Sequence, residues 1–138
     1  MPDEQDETLL ESFWQVARQV RQMSMQALAP WDITPSHARA LGVLTRHGDV
    51  RLSELSEHLR IAARTATEVV DALEERGFVQ RRADPEDRRA TRVSLTNEGR
   101  RVSDAIRATR AAEAQRFFGA LSPADRAHLS RILRSMKR

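Results

Sequence analysis

The 138-residue chain has no cysteine, no tyrosine, and only five glycines and five prolines. Without thiols there are no disulfides, no thiolate metal ligands and no sensor that works by oxidising its own sulfur. The histidines His37, His47, His58 and His128 share no metal-ligand spacing, so no metal site is expected. A glycine-rich phosphate loop, an HExxH pair and a serine placed with a base are also missing. An enzyme would have little to build on, and no catalytic residue or cofactor is assigned. No apolar run approaches the ~18 residues needed to span a bilayer. The acidic start does not follow the basic, apolar, small-residue order of a secretory leader, so a cytoplasmic protein with no membrane partner is expected.

What is present is charge, unevenly placed. The formal net charge is only +3, so distribution matters more than total. Asp3, Glu4, Asp6, Glu7 and Glu11 open the chain without a base among them, whereas residues 100–138 hold ten basic side chains against three acidic ones. That asymmetry suits nucleic acid or an acidic partner, although an exposed arginine face on the C-terminal helices accounts for it equally well. The length supports a single domain, 1–138, with a modest core.

The most informative stretch is 62–99. Ala66, Val69, Val70 and Leu73 follow the spacing of one buried helical stripe. The opposite face begins with Arg64 and Thr67 and continues into Glu68, Asp71 and Glu75, so only its N-terminal end suits an approach to DNA. Gly77 is placed to stop this helix in a left-handed turn, with Phe78 folding back onto Leu73. Two β-prone runs, Phe78 to Arg82 and Thr91 to Leu95, flank ADPEDRRA, which reads as a hairpin loop. Arg81, Arg82, Arg88, Arg89 and Arg92 crowd this small element, making an arginine-tipped wing.

The spacing Asp87-x-Arg89 followed by Ser94-Leu95-Thr96 resembles the wing of multiple-antibiotic-resistance regulator (MarR-type) repressors. LGVLTRHGDVRLSELSEHLRIAARTATEVVDALEERGFVQRR is similar to that family's winged helix-turn-helix over its whole length, and the flanking helices also fit. The resemblance covers nearly the full chain, with the stretch from DPEDRR to SLT as its most specific motif. It implies a homodimeric transcription factor, often a repressor relieved by a small molecule. The expected fold is mainly α with one β-hairpin wing: a winged helix-turn-helix core at 34–96 and dimerisation helices at 7–28 and 97–137.

Local signals divide the chain into six helices. The first runs from about Glu7 to Leu28, with Leu9, Phe13, Val16 and Val20 on one stripe and Leu10, Trp14 and Ala17 beside them. Thr34 and Pro35 open the second, which Gly48 ends. Ser53 is expected to cap the third, whose Leu52, Leu55 and Leu59 face inward, and Arg60 to Ala62 form the turn into the reading helix. Thr96 caps the fifth, and Ser122 with Asp125 starts the sixth, with Leu129, Ile132, Leu133 and Met136 as a buried row. Pairing with a second copy would bury the terminal stripes and face two reading helices toward two half-sites; folding back over the core of a monomer is the alternative.

The resemblance places Ala63, Arg64, Thr65 and Thr67 at base edges in the major groove of double-stranded DNA. Arg64 matches the two acceptors of guanine, or binds phosphate only, while Ala63 and the threonine methyls suit thymine. Glu68 departs from the arginine common in relatives. Arg89 is expected in the minor groove at the wing tip, with Asp87 holding its guanidinium by a salt bridge. Arg81, Arg82, Arg88 and Arg92 are phosphate candidates or solvated strand residues, and Ser36 and Arg60 are weaker ones. For a small aromatic effector, or inducer, Trp14, Arg18, His37 and Arg39 are candidate lining residues, though Trp14 on an apolar stripe better suits a core and His37 a capping or surface place near a helix start. The rival to a DNA-binding regulator is a winged-helix protein–protein interaction module without DNA affinity, against which Arg64 and Arg89 argue.

Overall fold

A computed structural model describes residues 3–137, in which six α-helices surround a small antiparallel sheet. The order is α1 (Glu4–Leu28), a 3-10 turn (Ala29–Trp31), α2 (Pro35–His47), β1 (Val50–Arg51), α3 (Leu52–Leu59) and α4 (Ala63–Glu75). Then come β2 (Val79–Ala83), β3 (Thr91–Leu95), α5 (Asn97–Phe118) and α6 (Pro123–Met136). The sheet order is β1-β3-β2.

The helix limits have visible causes. Thr34, Thr96 and Ser122 each accept, through the side-chain oxygen, the backbone N–H three residues on, from His37, Gly99 and Asp125. Such caps contribute about 1 kcal/mol each. At the end of α4, Gly77 takes φ +77°, its N–H donates to the Glu74 carbonyl, and the Phe78 N–H donates to Leu73. These two bonds form the expected Schellman stop.

Three expectations need correcting. The sheet has a third strand, β1, which pairs Val50 with Val93 and Arg51 with Arg92. Two residues carry no readable alternation, so the strand was invisible until β3 lay beside it. Ser53 sits inside α3; its N-cap is Arg51, whose backbone N–H donates to Glu54 Oε1 at 3.2 Å. The row on α6 is not buried in the single chain: Ile132, Leu133 and Met136 are exposed and Leu129 is half-buried.

The core lies where α2, α3, α4 and the start of α5 meet the sheet. Leu41, Leu44, Leu55, Val70, Leu73, Val93 and Val102 are almost fully enclosed there. Arg39 donates to the Leu59 carbonyl at 2.7 Å and satisfies an orphaned group at the end of α3. Arg76 donates to the carbonyls of Trp31 (2.6 Å) and Asp32 (2.9 Å), fastening the end of α4 to the 3-10 turn. In contrast, α1 leaves Leu9, Leu10, Phe13, Trp14 and Val16 in solvent. Exposed apolar rows on α1 and α6 mark surfaces that bury against something else.

One joint is unusually close. The Thr96 N–H donates to the Phe78 carbonyl at 3.0 Å and its hydroxyl to the Gly77 carbonyl at 2.6 Å, drawing the start of α5 onto the end of α4. A Cβ at Gly99 would overlap the Phe78 carbonyl oxygen. Gly99→Ala should therefore lower unfolding free energy by about 1–3 kcal/mol, as overpacking does; a denaturant midpoint equal to that of wild type would show that the joint has slack.

Candidate nucleic-acid interface

The helix-turn-helix is formed by α3 and α4, with Arg60 in a left-handed turn (φ +55°) between them. No side chain caps the start of α4, so its first amide N–H groups stay available to an outside acceptor. Around that start Ala62, Ala63, Arg64 and Thr65 are exposed, while Ala66, Val69, Val70 and Leu73 are buried. The stripe that fixes α4 in the core thus turns the other face outward. Arg64 is nearly free, with a side chain 92% exposed and Glu68 at 3.8 Å. An exposed pair of that length contributes little, so Glu68 competes only weakly for the guanidinium. The Thr67 hydroxyl donates to the Ala63 carbonyl at 3.0 Å.

Beside α4 stands the hairpin tip, and an open cleft of about 360 Å³ separates them. It is lined by Arg51, Leu52 and Ser53 from below, Ala63 and Thr67 from α4, and Asp87, Arg89, Ala90 and Thr91 from the wing. The structure thus brings Ala63, Thr67 and Arg89 to one concave surface, while Arg64 and Thr65 are exposed on α4 outside its lining. Arg88 and Arg89 are exposed, and among the described residues their guanidiniums make no ion pair.

Asp87 does not hold Arg89 as expected. Its Oδ1 accepts the backbone N–H of Arg89 at 2.9 Å and its carbonyl accepts the Ala90 N–H at 3.0 Å. A carboxylate two residues upstream satisfies the turn backbone more readily than it restrains a long side chain. Asp87 shapes the tip, and the Arg89 guanidinium is left outside.

Three other wing arginines are already paired with acids. Arg81 pairs with Asp71 and Glu74 of α4. Arg92 lies between Asp49 (Nε to Oδ1, 3.1 Å) and Asp84 (Nη1 to Oδ2, 3.2 Å), and Arg82 pairs with Asp49. Sequence reading singled out the cations and missed these acids, which lie seven to 43 residues away along the chain. For Asp84 a signal existed in Asp-Pro at the loop start; for Asp49 there was none.

Asp84 is the centre of this network. Its side chain is 1% exposed, yet it accepts the Glu86 N–H (2.8 Å), the Asp87 N–H (3.3 Å), Arg51 Nε (2.8 Å) and Arg92 Nη1 (3.2 Å). The Glu86 amide, followed by the two guanidiniums, outweighs burial and brings its pKa from an ordinary 3.8 to about 2.

The remaining candidates are dispersed. Ser36 is exposed in the first turn of α2, and Arg60 is exposed in the helix-turn-helix turn. Trp14 and Arg18 project from α1 into solvent, and Arg39 is committed to Leu59. His37 donates its backbone N–H to Thr34; burial, then the nearby Arg76 charge, hold its imidazole below the usual pKa. A different cleft, of about 330 Å³, opens between α2 and α5 and is lined by Ala38, Leu41, Thr45, Arg46, Ser103, Ile106, Arg107 and Arg110. None of the four expected lining residues borders it.

The MarR family model matches residues 33–91, from just before α2 to the start of β3. An HTH-type transcriptional regulator of Bacillus subtilis, YsmB, is 33% identical over 87 residues, which span 63% of this chain and 60% of that protein. A MarR family protein from Bacillus stearothermophilus is 26% identical and superposes with a TM-score of 0.82, covering 99% of this chain and 96% of that one. Over its winged core the chain resembles the MarR family. This is a family of transcriptional regulators rather than enzymes. Its fold also matches a mutant MarR from Escherichia coli complexed with operator DNA, at 22% identity and a TM-score of 0.78 over 95% of this chain and 94% of that one.

Because Asp84 binds protons less readily folded than unfolded, its stabilisation is complete above its ordinary 3.8 and is lost as the pH falls toward 2. Acid unfolding of wild type should show that limb, and Asp84→Asn should start less stable at neutral pH and lose less on acidification. Parallel acid profiles for the two proteins would remove Asp84 as a wing anchor.

Proposed function

We propose that this protein is a sequence-specific double-stranded DNA-binding regulator that acts as a homodimer on a palindromic operator. The observation that carries the reading is the cleft shared by α4 and the wing tip, with Ala63, Thr67 and Arg89 on its walls and Arg64, Thr65 and Arg88 exposed around it. An uncapped helix start and unpaired guanidiniums on one concave surface suit a polyanion. In this reading Arg64 contacts a guanine edge, with Ala63, Thr65 and Thr67 beside it in the major groove. Arg89 enters the minor groove, while Arg88 and the weaker candidates Ser36 and Arg60 meet phosphate. The pairing of Arg81, Arg82 and Arg92 with acids argues against their use as first contacts.

The dimer is supported by the exposed apolar rows of α1 and α6, which extend beyond the winged core at 34–96. A second copy related by a two-fold axis buries them and sets two reading helices in adjacent major grooves, about 34–36 Å apart. A dimer seated on an operator excludes other proteins from it, which is the physical basis of repression. Release by a small molecule, the family's common device, is best served by the α2–α5 cleft, where Arg46, Arg107 and Arg110 suit an anionic group and Leu41 and Ile106 an apolar or aromatic body. Action on DNA and the lack of a helix long and apolar enough to cross a membrane, among the described residues, favour a cytoplasmic setting.

Binding to a random-sequence duplex pool at two salt concentrations, followed by sequencing of the selected sites, tests this directly. Enrichment of a two-fold symmetric site is expected; an asymmetric single half-site would contradict the dimer, and no binding at low salt would contradict the function. Arg89→Ala should make the dependence of log affinity on log salt shallower by about one unit, as for one lost cation contact. Arg64→Ala should relax preference at one position per half-site at a cost of about 1–3 kcal/mol; unchanged site selection would reassign it to phosphate.

A further inference from the structure

The three strands carry arginines in a single register row. Arg82 stands opposite Arg92 on β3, and Arg92 stands opposite Arg51 on β1. Like charges directly opposed on one sheet face repel, and two aspartates relieve the row. Asp84 takes Arg51 and one edge of Arg92; Asp49 takes the other edge of Arg92 together with Arg82.

The two acids differ in what they restrain. Asp84 is enclosed and also holds the loop backbone, so it is part of the wing's construction. Asp49 is partly open, with a side chain 25% exposed, and its partner Arg82 is 62% exposed. Arg82 could therefore turn to an outside anion at small structural cost. The Arg51 end of the row borders the same cleft as Ala63, Thr67 and Arg89; Arg92 follows on the middle strand and Arg82 on the outer one, where its side chain is open to an approaching anion.

We propose that Asp49 is a specificity-determining residue that withholds Arg82 and Arg92 from DNA phosphates. The inference rests on the DNA-binding function proposed above. Phosphate contacts add affinity for every sequence alike and carry no base information. Each also steepens the dependence of log affinity on log salt by about 0.9. Specificity is a difference between affinities, so suppressing the indiscriminate contribution raises it without any new base contact. A guanidinium already paired with a carboxylate has little net field to offer, and Asp49 itself disfavours phosphate nearby. Base reading by α4 and the free arginines of the tip then decides where the protein settles.

Asp49→Asn keeps the size of the side chain, and the backbone carbonyl of Asp49 still accepts Arg92 Nη2, as it does at 2.9 Å. The variant should bind a random-sequence duplex more tightly than wild type, with a salt dependence steeper by about one unit for each arginine released per protomer. Its ratio of selected-site to random-site affinity should fall. Arg82→Ala in the wild-type background should leave the salt dependence unchanged, and in the Asp49→Asn background should remove part of the excess. Labelling with an arginine-directed dicarbonyl, mapped by mass spectrometry without DNA, should show Arg82 more reactive in Asp49→Asn. If wild type binds the pool and Asp49→Asn binds with the same or a shallower salt dependence, the withholding role is overturned while the DNA-binding function stands. A shallower salt dependence for Arg82→Ala alone also overturns it, because Arg82 would already be touching phosphate. If neither wild type nor variant binds at low salt, the function and this inference fall together.

Discussion

A sheet of three short strands that places Arg51, Arg92 and Arg82 side by side needs counter-charge, and Asp84 supplies its enclosed share from inside, with Asp49 meeting the outer edge. The carboxylate accepts two guanidiniums and two backbone amides at once. Because those donors come from β1, β3 and the loop, it fixes the pitch of the hairpin against the start of α3. Burying a carboxylate with a single partner would be costly, and four donors make it tolerable.

The arginines of the wing consequently divide by position. Those on the strands are engaged within the wing, matched by acids from α4, from the segment before β1 and from the loop. Those at the tip, Arg88 and Arg89, have no such match among the described residues and remain available outside. Asp87 contributes by closing the backbone turn that presents them. Charge content alone would have treated all of these cations as one patch; the pairing pattern separates the frame of the interface from its contacts.

How far the sequence was legible follows the range of the interactions. Caps and stops act within three or four residues, so Thr34, Thr96, Ser122 and Gly77 could be read directly, as could the buried stripe of α4. Ser53 misled because a hydroxyl near a helix start looks like a cap, whereas Arg51 could take that place once β1 had extended the backbone before it. The acids that claim Arg82 and Arg92, the Arg39 bond to Leu59 and the Arg76 clasp on the 3-10 turn join residues brought together only by folding. The row on α6 was read correctly as apolar, and the single chain leaves it exposed, since a helix pattern reports which face seeks burial but not where the covering surface comes from. The family resemblance supplied the arrangement of the wing, but not which of its arginines are already engaged.

The tight joint between Phe78 and Gly99 has a mechanical corollary. With no side chain at Gly99 and two hydrogen bonds from Thr96 clamping the turn after α4, the reading helix and the 22-residue α5 share a rigid elbow. At 1.5 Å per residue α5 is about 33 Å long, so each degree of tilt at this elbow sweeps its far end through roughly half an ångström. Conversely, a small reorientation of α5 is passed through this elbow to α4, converting angular strain in the scaffold into a shift of the exposed helix start.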